Sequence, residues 1–498
     1  MSARSCVARF GTKPPESMES RTDSIAHMLE AFSAQRRAAS SQGPPTVAER
    51  RDRLARLSHA LYAAREAFVT ALNDDFGGRA RQETLLADLW PALRACRHGH
   101  RHVAQWMRPR RRPVDLMLQR GRAWLQPQPL GVVGIVAPWN FPLFLSIGPL
   151  AAALAAGNRA MLKPSEFAPR AARLLGEVLS RVFSPEEVMV VEGDAELAKA
   201  FVSLPFDHLL FTGSTSIGRQ VMRCAAETLT PATLELGGKS PALVTADADL
   251  DNAAGAIAFG KLMNAGQACV APDYVLVPRD RIEGFALAFV RAARRLYPSW
   301  DANPDYTSII NEHHRARLAA LLDEAKRQDA RIVPLHAPTN GMFDGSGRMA
   351  PVLVLNADPG GALLQEEIFG PILPVVGYDS LDQALAFIKD RPRPLALYLF
   401  CHEESAIRAV LDGTISGGVA VNDTVIQVIA DDLPFGGVGA SGMGHYHGRE
   451  GFDTFSKLKP VFVRGRPNLS RLLLPPYGRF AEKAAAILLR LSRLKPRH

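Results

Sequence analysis

At 498 residues, 47% hydrophobic and 22% charged, the chain is long enough for about three structural units and too apolar for disorder, collagen or coiled coil as its main state. It contains no run of 18 apolar residues free of charge, which excludes a bilayer-spanning helix. The net charge of +9 does not point to nucleic acid, because nine Lys/Arg against one acid, Glu482, lie from Val461 onward and leave the first 460 residues at +1.

Residues 1–23 are rich in Arg and Ser, carry Pro14-Pro15 and lack an apolar signal-peptide core, so a flexible extension is expected there. Leu54, Leu57, Leu61, Phe68 and Leu72 recur at helical spacing, and residues 47–108 read as helices. Within them His98 and His102 share a helix face without a neighbouring carboxylate, a pattern that favours no metal site. Arg108 and Arg110 to Arg112, broken by Pro109, read as a solvated loop. Residues 111–128 alternate apolar and polar positions, as expected of an extended arm that pairs subunits. From Leu130, strands at Val132–Val136, Ala160–Leu162, Val188–Val191 and Leu209–Phe211 alternate with helices at Leu150–Ala156 and Ala171–Val182. The alternation resumes after Pro241 and runs to Asn422. This β-α-β order predicts parallel sheets covered by helices.

Near the end, Phe480, Ala484, Ile487, Leu488, Leu491 and Leu494 form the apolar stripe of a basic amphipathic helix, with Arg479, Lys483, Arg490, Arg493 and Arg497 on the other side. It is expected to dock on the enzyme or its dimer partner. The alternative is peripheral contact with anionic lipid. The five cysteines (Cys6, Cys96, Cys224, Cys269, Cys401) are irregularly spaced and include no Cys-x-x-Cys, so a reducing, cytoplasmic setting without a disulfide framework is expected.

Four segments carry chemistry. In Gly134-Ile-Val-Ala-Pro138-Trp139-Asn140-Phe141-Pro142 a strand enters a turn between two prolines, where Asn140 either donates to an anionic oxygen or closes its own turn. In Phe211-Thr-Gly213-Ser214-Thr-Ser-Ile-Gly218-Arg219 an apolar strand opens a helix whose N-terminus suits an anion. In Thr233-Leu-Glu235-Leu-Gly-Gly-Lys239 one acid lies between leucines. There it is either a general base with a raised pKa or the ion-pair partner of Lys239. In Asn264-Ala-Gly266-Gln-Ala-Cys269-Val-Ala-Pro a cysteine sits among small residues, a nucleophile or an inert core thiol. Gly437-Val-Gly439-Ala-Ser-Gly442 matches a dinucleotide fingerprint but lacks the strand before it and the helix after it. It reads as a tight turn, with His445 and His447 as polar turn residues.

In order, these segments together with Lys163-Pro-Ser-Glu166, Glu366-Glu367-Ile-Phe369-Gly-Pro and Pro434-Phe435-Gly-Gly resemble the aldehyde dehydrogenase superfamily over residues 47–465. Cys269-Val-Ala-Pro-Asp-Tyr and Gly442-Met-Gly-His-Tyr-His-Gly are similar to its fatty- and aromatic-aldehyde branch. Val421-Asn-Asp-Thr and Arg391-Pro-Arg-Pro-Leu-Ala-Leu-Tyr look most like the coniferyl type. Ala268 departs from the Thr or Val usual in relatives.

The resemblance implies an α/β fold: a Rossmann-type cofactor domain (residues 24–110 and 129–238), an α/β catalytic domain (239–440) and a small β oligomerisation arm (111–128 and 441–465), followed by the basic tail (466–498). It implies NAD, with NADP tolerated, as cofactor, a small-molecule aldehyde as substrate and a homodimer. Cys269 would be the nucleophile, Glu235 the base for deacylation and Asn140 an oxyanion donor. Lys163 and Glu166 would hold the adenosine ribose, Gly213, Ser214 and Gly218 the pyrophosphate turn, and Glu367 and Phe369 the nicotinamide ribose and ring. The rivals are transfer of the acyl group to coenzyme A, which retention of Glu235 opposes, and a non-catalytic binding protein, which the joint presence of Cys269, Glu235 and Asn140 opposes.

Overall fold

Short apolar runs such as Val132–Val136 leave almost no polar side chain to face water, so their strands must be covered on both sides. The computed structural model describes residues 18–114, 121–336, 341–465 and 474–493. Its strands are β1 (Arg110–Arg112), β2 (Arg122–Pro129), β3 (Val132–Val136), β4 (Arg159–Lys163), β5 (Val188–Val190), β6 (His208–Gly213), β7 (Ala232–Leu236) and β8 (Pro241–Val244). They continue as β9 (Tyr274–Pro278), β10 (Arg331–Pro334), β11 (Val352–Leu355), β12 (Ile372–Tyr378), β13 (Ala396–Phe400), β14 (Gly418–Val421), β15 (Gly442–Met443) and β16 (Ser456–Val463).

They form three sheets. The first has six strands in the order β15-β7-β6-β3-β4-β5, parallel except at β15. The second has seven, β10-β11-β12-β9-β8-β13-β14, parallel except at β10. The third is the antiparallel ribbon β1-β2-β16. The chain passes from the first sheet to the second through Gly237–Ser240 and returns in β15, where Gly442 pairs with Glu235.

The expected N-terminal helices are present. Val47–Ala63 opens with a capping box between Thr46 and Glu49. With Trp90–Trp106 it packs on the helix Phe144–Ala156, so Leu54, Leu57, Leu61, Phe68 and Leu72 share one core with Ile135, Leu150 and Leu154. Among the described residues no helix is long and apolar enough to cross a membrane.

Two expectations change. Arg110 to Arg112 are a strand and not a loop, because β2 offers them a pairing edge and Asp453 receives Arg110 at 2.6 Å. A helix, Met18–Ser41, begins inside the stretch expected as an extension. It is tied down by buried Phe32 and by the Gln35 amide, which donates to the Pro185 carbonyl at 2.8 Å. Residues 1–17, and Leu116 and Leu118 of the expected arm, lie outside the described residues.

One buried side chain joins the first sheet to the ribbon. Asn158 accepts from the Leu130 and Gly131 N–H groups at 2.7 and 2.9 Å and donates to the Phe455 carbonyl at 2.8 Å. Asn158→Ala leaves these buried backbone groups unpaired, which costs about 2–4 kcal/mol. A lowered thermal midpoint with the far-UV spectrum retained is the expected result.

Candidate active site

The loop that leads to Cys269, the expected nucleophile, is bent against backbone preference. After the helix Leu250–Leu262, Asn264 and Ala265 each take φ of 51° and Gly266 takes 74°. A Cβ on Gly266 would lie 2.7 Å from the Gly370 carbonyl carbon, so only glycine fits. The two non-glycine residues cost about 1–3 kcal/mol each, and dense hydrogen bonding holds them. Asn264 N–H donates to Glu83 at 2.8 Å, and its side-chain amide donates to the Asn140 and Gln267 carbonyls at 3.1 Å. Gln267, fully buried, donates to the Asn264 and Ser308 carbonyls and accepts from Ile310 N–H. Cys269 leaves this loop half-buried. Burial pushes its thiol up to about 12, and the neighbouring Glu367 and Glu235 carboxylates push the same way.

Glu235 sits in β7 between Thr212 of β6 and Gly442 of β15. It is 2% exposed, and neither carboxylate oxygen has a hydrogen-bond partner. Burial raises its pKa well above the ordinary carboxylate range. The alternative pairing with Lys239 does not occur. Lys239 turns away to Asp273 and to the Leu363 and Glu366 carbonyls at 2.7 and 2.8 Å.

Asn140 is buried in the Pro-Trp-Asn turn, and its amide donates to the Gln267 carbonyl at 3.1 Å, which sets it beside the nucleophile loop. It does not merely close its own turn. Its carbonyl accepts from Arg79 at 3.2 Å. Arg79 is wholly buried, lies over the Phe76 and Phe141 rings, and stands 3.7 Å from Asp88. Asp88 in turn accepts the Phe144 N–H at 2.6 Å, at the start of the helix that follows.

The residues expected to hold a cofactor lie along the C-terminal ends of β4 and β6, the crevice where open α/β sheets take ligands. Lys163 ends β4 buried, donating to the Pro164 carbonyl at 2.8 Å. Burial lowers its pKa, and Glu166, Asp194 and Glu192 oppose that. Gly213 ends β6. Ser214 caps the helix Thr215–Thr228 by accepting from Ile217 N–H at 3.4 Å, which leaves its first N–H groups for an anion. A Cβ on Gly218 would press 2.6 Å from a Leu236 methyl, so this glycine seats that helix against β7. On the opposite wall, burial first, then Asp273, push the Glu367 carboxyl up to about 8. Phe369, at φ 50°, stands edge-on to Trp139 at 5.4 Å. The helix cap, the buried lysine and the carboxylates beside it fit a dinucleotide.

Several positions were not legible beforehand. Arg79, in the turn after the helix Arg65–Phe76, and Glu83 and Asp88, in the helical stretch that follows, come from the N-terminal segment, where charges ordinarily read as solvated. Asp273 accepts from Lys239 and from Ile368 N–H at 3.0 Å, and Lys261 lies 3.9 Å from it. The only advance signal was Lys261 at the end of the apolar run Ala253–Gly260. The Gly437–Gly442 segment is a turn closing on β7, and the next helix starts only at Gly448. His445 is exposed, and His447 lies half-buried in the bend before the helix Gly448–Thr454. At φ 94° its ring points inward and stacks on Phe435 at 5.2 Å, and burial lowers its pKa to about 4. His98 stacks on His102, and the fold brings Asp432 within 3.3 Å of it, yet no group of three or more potential metal ligands occurs among the described residues.

Comparison with known proteins agrees with this geometry. The pattern described as "Aldehyde dehydrogenase family" matches residues 18–461. A probable coniferyl aldehyde dehydrogenase of Pseudomonas aeruginosa is 50% identical over 92% of this chain and 95% of its own length. The coniferyl aldehyde dehydrogenase of a Pseudomonas species is 44% identical over 90% of this chain and 93% of its own. Substrate-bound Staphylococcus aureus AldH superposes with a TM-score of 0.87 at 36% identity, covering 93% of this chain and 99% of that one. A Mycobacterium tuberculosis aldehyde dehydrogenase complexed with NAD+ gives 0.79 at 28% identity, covering 89% and 91%.

The thiol is held protonated far above neutrality. Alkylation of the cofactor-free protein at Cys269 by iodoacetamide is therefore expected to rise about tenfold per unit between about pH 7 and 9, without a plateau. A plateau in that window would show a thiolate already formed.

Proposed function

The chain belongs to the aldehyde dehydrogenase family and oxidises an aldehyde to a carboxylic acid with a nicotinamide dinucleotide, and we propose that its substrate is an aromatic propenal of the coniferyl type, with long aliphatic aldehydes next. The observation that carries the mechanism is the convergence of a buried thiol, Cys269, on a buried carboxylate with no partner, Glu235. Two relatives named for coniferyl aldehyde support the substrate class. So does the wall beside the nucleophile, where Phe141, Phe144, Leu145 and Ala268 cluster with Met263 and Val428. Such a wall favours a flat apolar ring.

The chemistry follows from the side chains. Cys269 gives up its proton and bonds the carbonyl carbon, and the oxyanion is held by the Asn140 amide and the Cys269 N–H. Lys163, Glu166, the Ser214 helix cap, Glu367 and Phe369 would hold NAD, which would supply the hydride acceptor. Cys269 is then left as a thioester. Glu235 takes a proton from water, and the resulting hydroxide displaces the sulfur. A carboxylate kept without partners in an apolar site is a stronger base than one in water. Glu166 at the ribose favours NAD over NADP by repelling a 2′-phosphate.

We further propose the division into cofactor domain, catalytic domain and arm stated above, and a homodimer formed through the ribbon. Support for the dimer is the free edge of β16, with Phe462 exposed. The described part of the tail is a helix, Arg479–Ser492, and its Phe480, Ile487 and Leu491 are exposed on the single chain. Arg479, Lys483 and Arg490 flank that stripe, which favours an anionic lipid surface over docking on the enzyme.

Two tests follow. Cys269→Ala is expected to abolish turnover, and Glu235→Gln to leave a burst of NADH followed by slow turnover. Wild-type turnover in Cys269→Ala would sink the mechanism, and a steady-state panel of coniferyl, benzoic and long-chain aldehydes with NAD or NADP tests substrate and cofactor together. For the tail, full-length protein is expected to co-sediment with anionic vesicles at low salt and not at high salt, whereas a chain ending at Pro476 stays in solution. Absence of tail-dependent binding leaves only docking on a protein surface.

A further inference from the structure

A buried ion pair, Arg79 and Asp88, brackets the turn that carries Asn140. The Arg79 Nη1 group donates to the Asn140 carbonyl at 3.2 Å, and the Asp88 carboxylate accepts the Phe144 N–H at 2.6 Å. Neither side chain is exposed, and Arg79 Nη2 stands 3.7 Å from Asp88 Oδ2, too far for a hydrogen bond. A pair built for stability closes to the two-pronged contact that arginine makes with a carboxylate, and even then a buried pair is a weak source of stability. Here the short contacts go instead to the two ends of one turn. Arg79 Nε and Nη2 and Asp88 Oδ2 have no hydrogen-bond partner among the described residues. Each half of the pair is fixed in turn. The Arg79 N–H donates to the Asn73 side chain at 3.1 Å, and the Ser308 N–H donates to the Gly78 carbonyl at 2.8 Å. Asp88 lies in Thr84–Leu89, where the helix widens and the Trp90 N–H reaches back to the Leu85 carbonyl. Such π-helical turns are frequent at functional sites.

The Asn140 amide has two N–H groups, and it donates one to the Gln267 carbonyl at 3.1 Å. Its backbone carbonyl accepts from Arg79 and from the Asn264 amide of the loop before Cys269. We propose that Arg79 and Asp88 are positioning residues for the oxyanion: by holding the two ends of the stretch from Asn140 to Phe144, they keep the second amide N–H of Asn140 aimed at the aldehyde oxygen. This rests on the reading of Asn140 as oxyanion donor and Cys269 as nucleophile. When Cys269 sulfur bonds the carbonyl carbon, the carbonyl π pair moves onto that oxygen. A donor already in place stabilises the charge without rearrangement, whereas a displacement of about 1 Å costs up to about a hundredfold in rate. The pair acts through the turn alone and exchanges no proton.

Arg79→Lys keeps the charge beside Asp88 but loses the planar fork. The single-turnover rate of NADH formation, read with enzyme in excess over aldehyde, is expected to fall about tenfold, with affinity for NAD unchanged. Asn140→Ala is expected to slow the same step by about a hundredfold or more. A double-mutant cycle joins the two. Once the Asn140 amide is gone Arg79 has nothing to aim, so Arg79→Lys in the Asn140→Ala background is expected to cost less than about twofold. A wild-type rate in Arg79→Lys overturns the proposal. So does a loss that persists undiminished in the Asn140→Ala background, or a lowered affinity for NAD, because either marks a merely structural pair. If Asn140→Ala slows the step and Arg79→Lys does not, the positioning role alone is wrong; if Asn140→Ala does not slow it, the reading of Asn140 fails first and the proposal with it.

Discussion

A single buried carboxylate, Asp273, ties together the parts that chemistry needs. It lies just beyond the nucleophile loop and accepts from Lys239 in the crossing between β7 and β8. It also accepts from the Ile368 N–H, between Glu367 and Phe369. Burying a carboxylate and two lysines is expensive, and the attraction among them compensates only if the geometry holds. The strand carrying Glu235, the loop carrying Cys269 and the wall carrying Glu367 are therefore fixed to one charge. Arg317 adds to this by donating to the Glu367 carbonyl at 3.1 Å. The same economy explains Lys261, whose amino group lacks a hydrogen-bond partner and whose pKa burial lowers to about 8.

The opposite flank is organised by the N-terminal helices. Glu83 takes the Asn264 N–H and the Thr307 hydroxyl, while Arg79 takes the Asn140 carbonyl. Strained backbone at Asn264 and Ala265 persists only where surroundings over-determine it. The N-terminal segment supplies that constraint and so holds both the Pro-Trp-Asn turn and the loop before Cys269.

What was readable in advance follows from what leaves a local trace. The parallel sheets were legible because strands covered on both faces need continuous apolar runs, as at Val132–Val136 and His208–Gly213. Cys269, Glu235, Asn140 and Ser214 were legible because each sits in a short segment whose glycines and prolines mark unusual backbone. Arg79, Glu83 and Asp273 were not, since a charge whose partner lies on another element looks in the sequence like any solvated charge. His447 stands in a bend, as its glycine-flanked setting suggests, while the positive φ that turns its ring onto Phe435 left no trace in the sequence. Arg110 to Arg112 became a strand because they pair with β2, a partner that composition does not reveal.

The two passages of chain between the large sheets run side by side, joined where the Leu236 N–H meets the Ser441 carbonyl at 3.0 Å. The next pair along this seam is Glu235 and Gly442. Glu235 is therefore held by two passages of chain far apart in sequence, and neither can shift there without carrying the other with it.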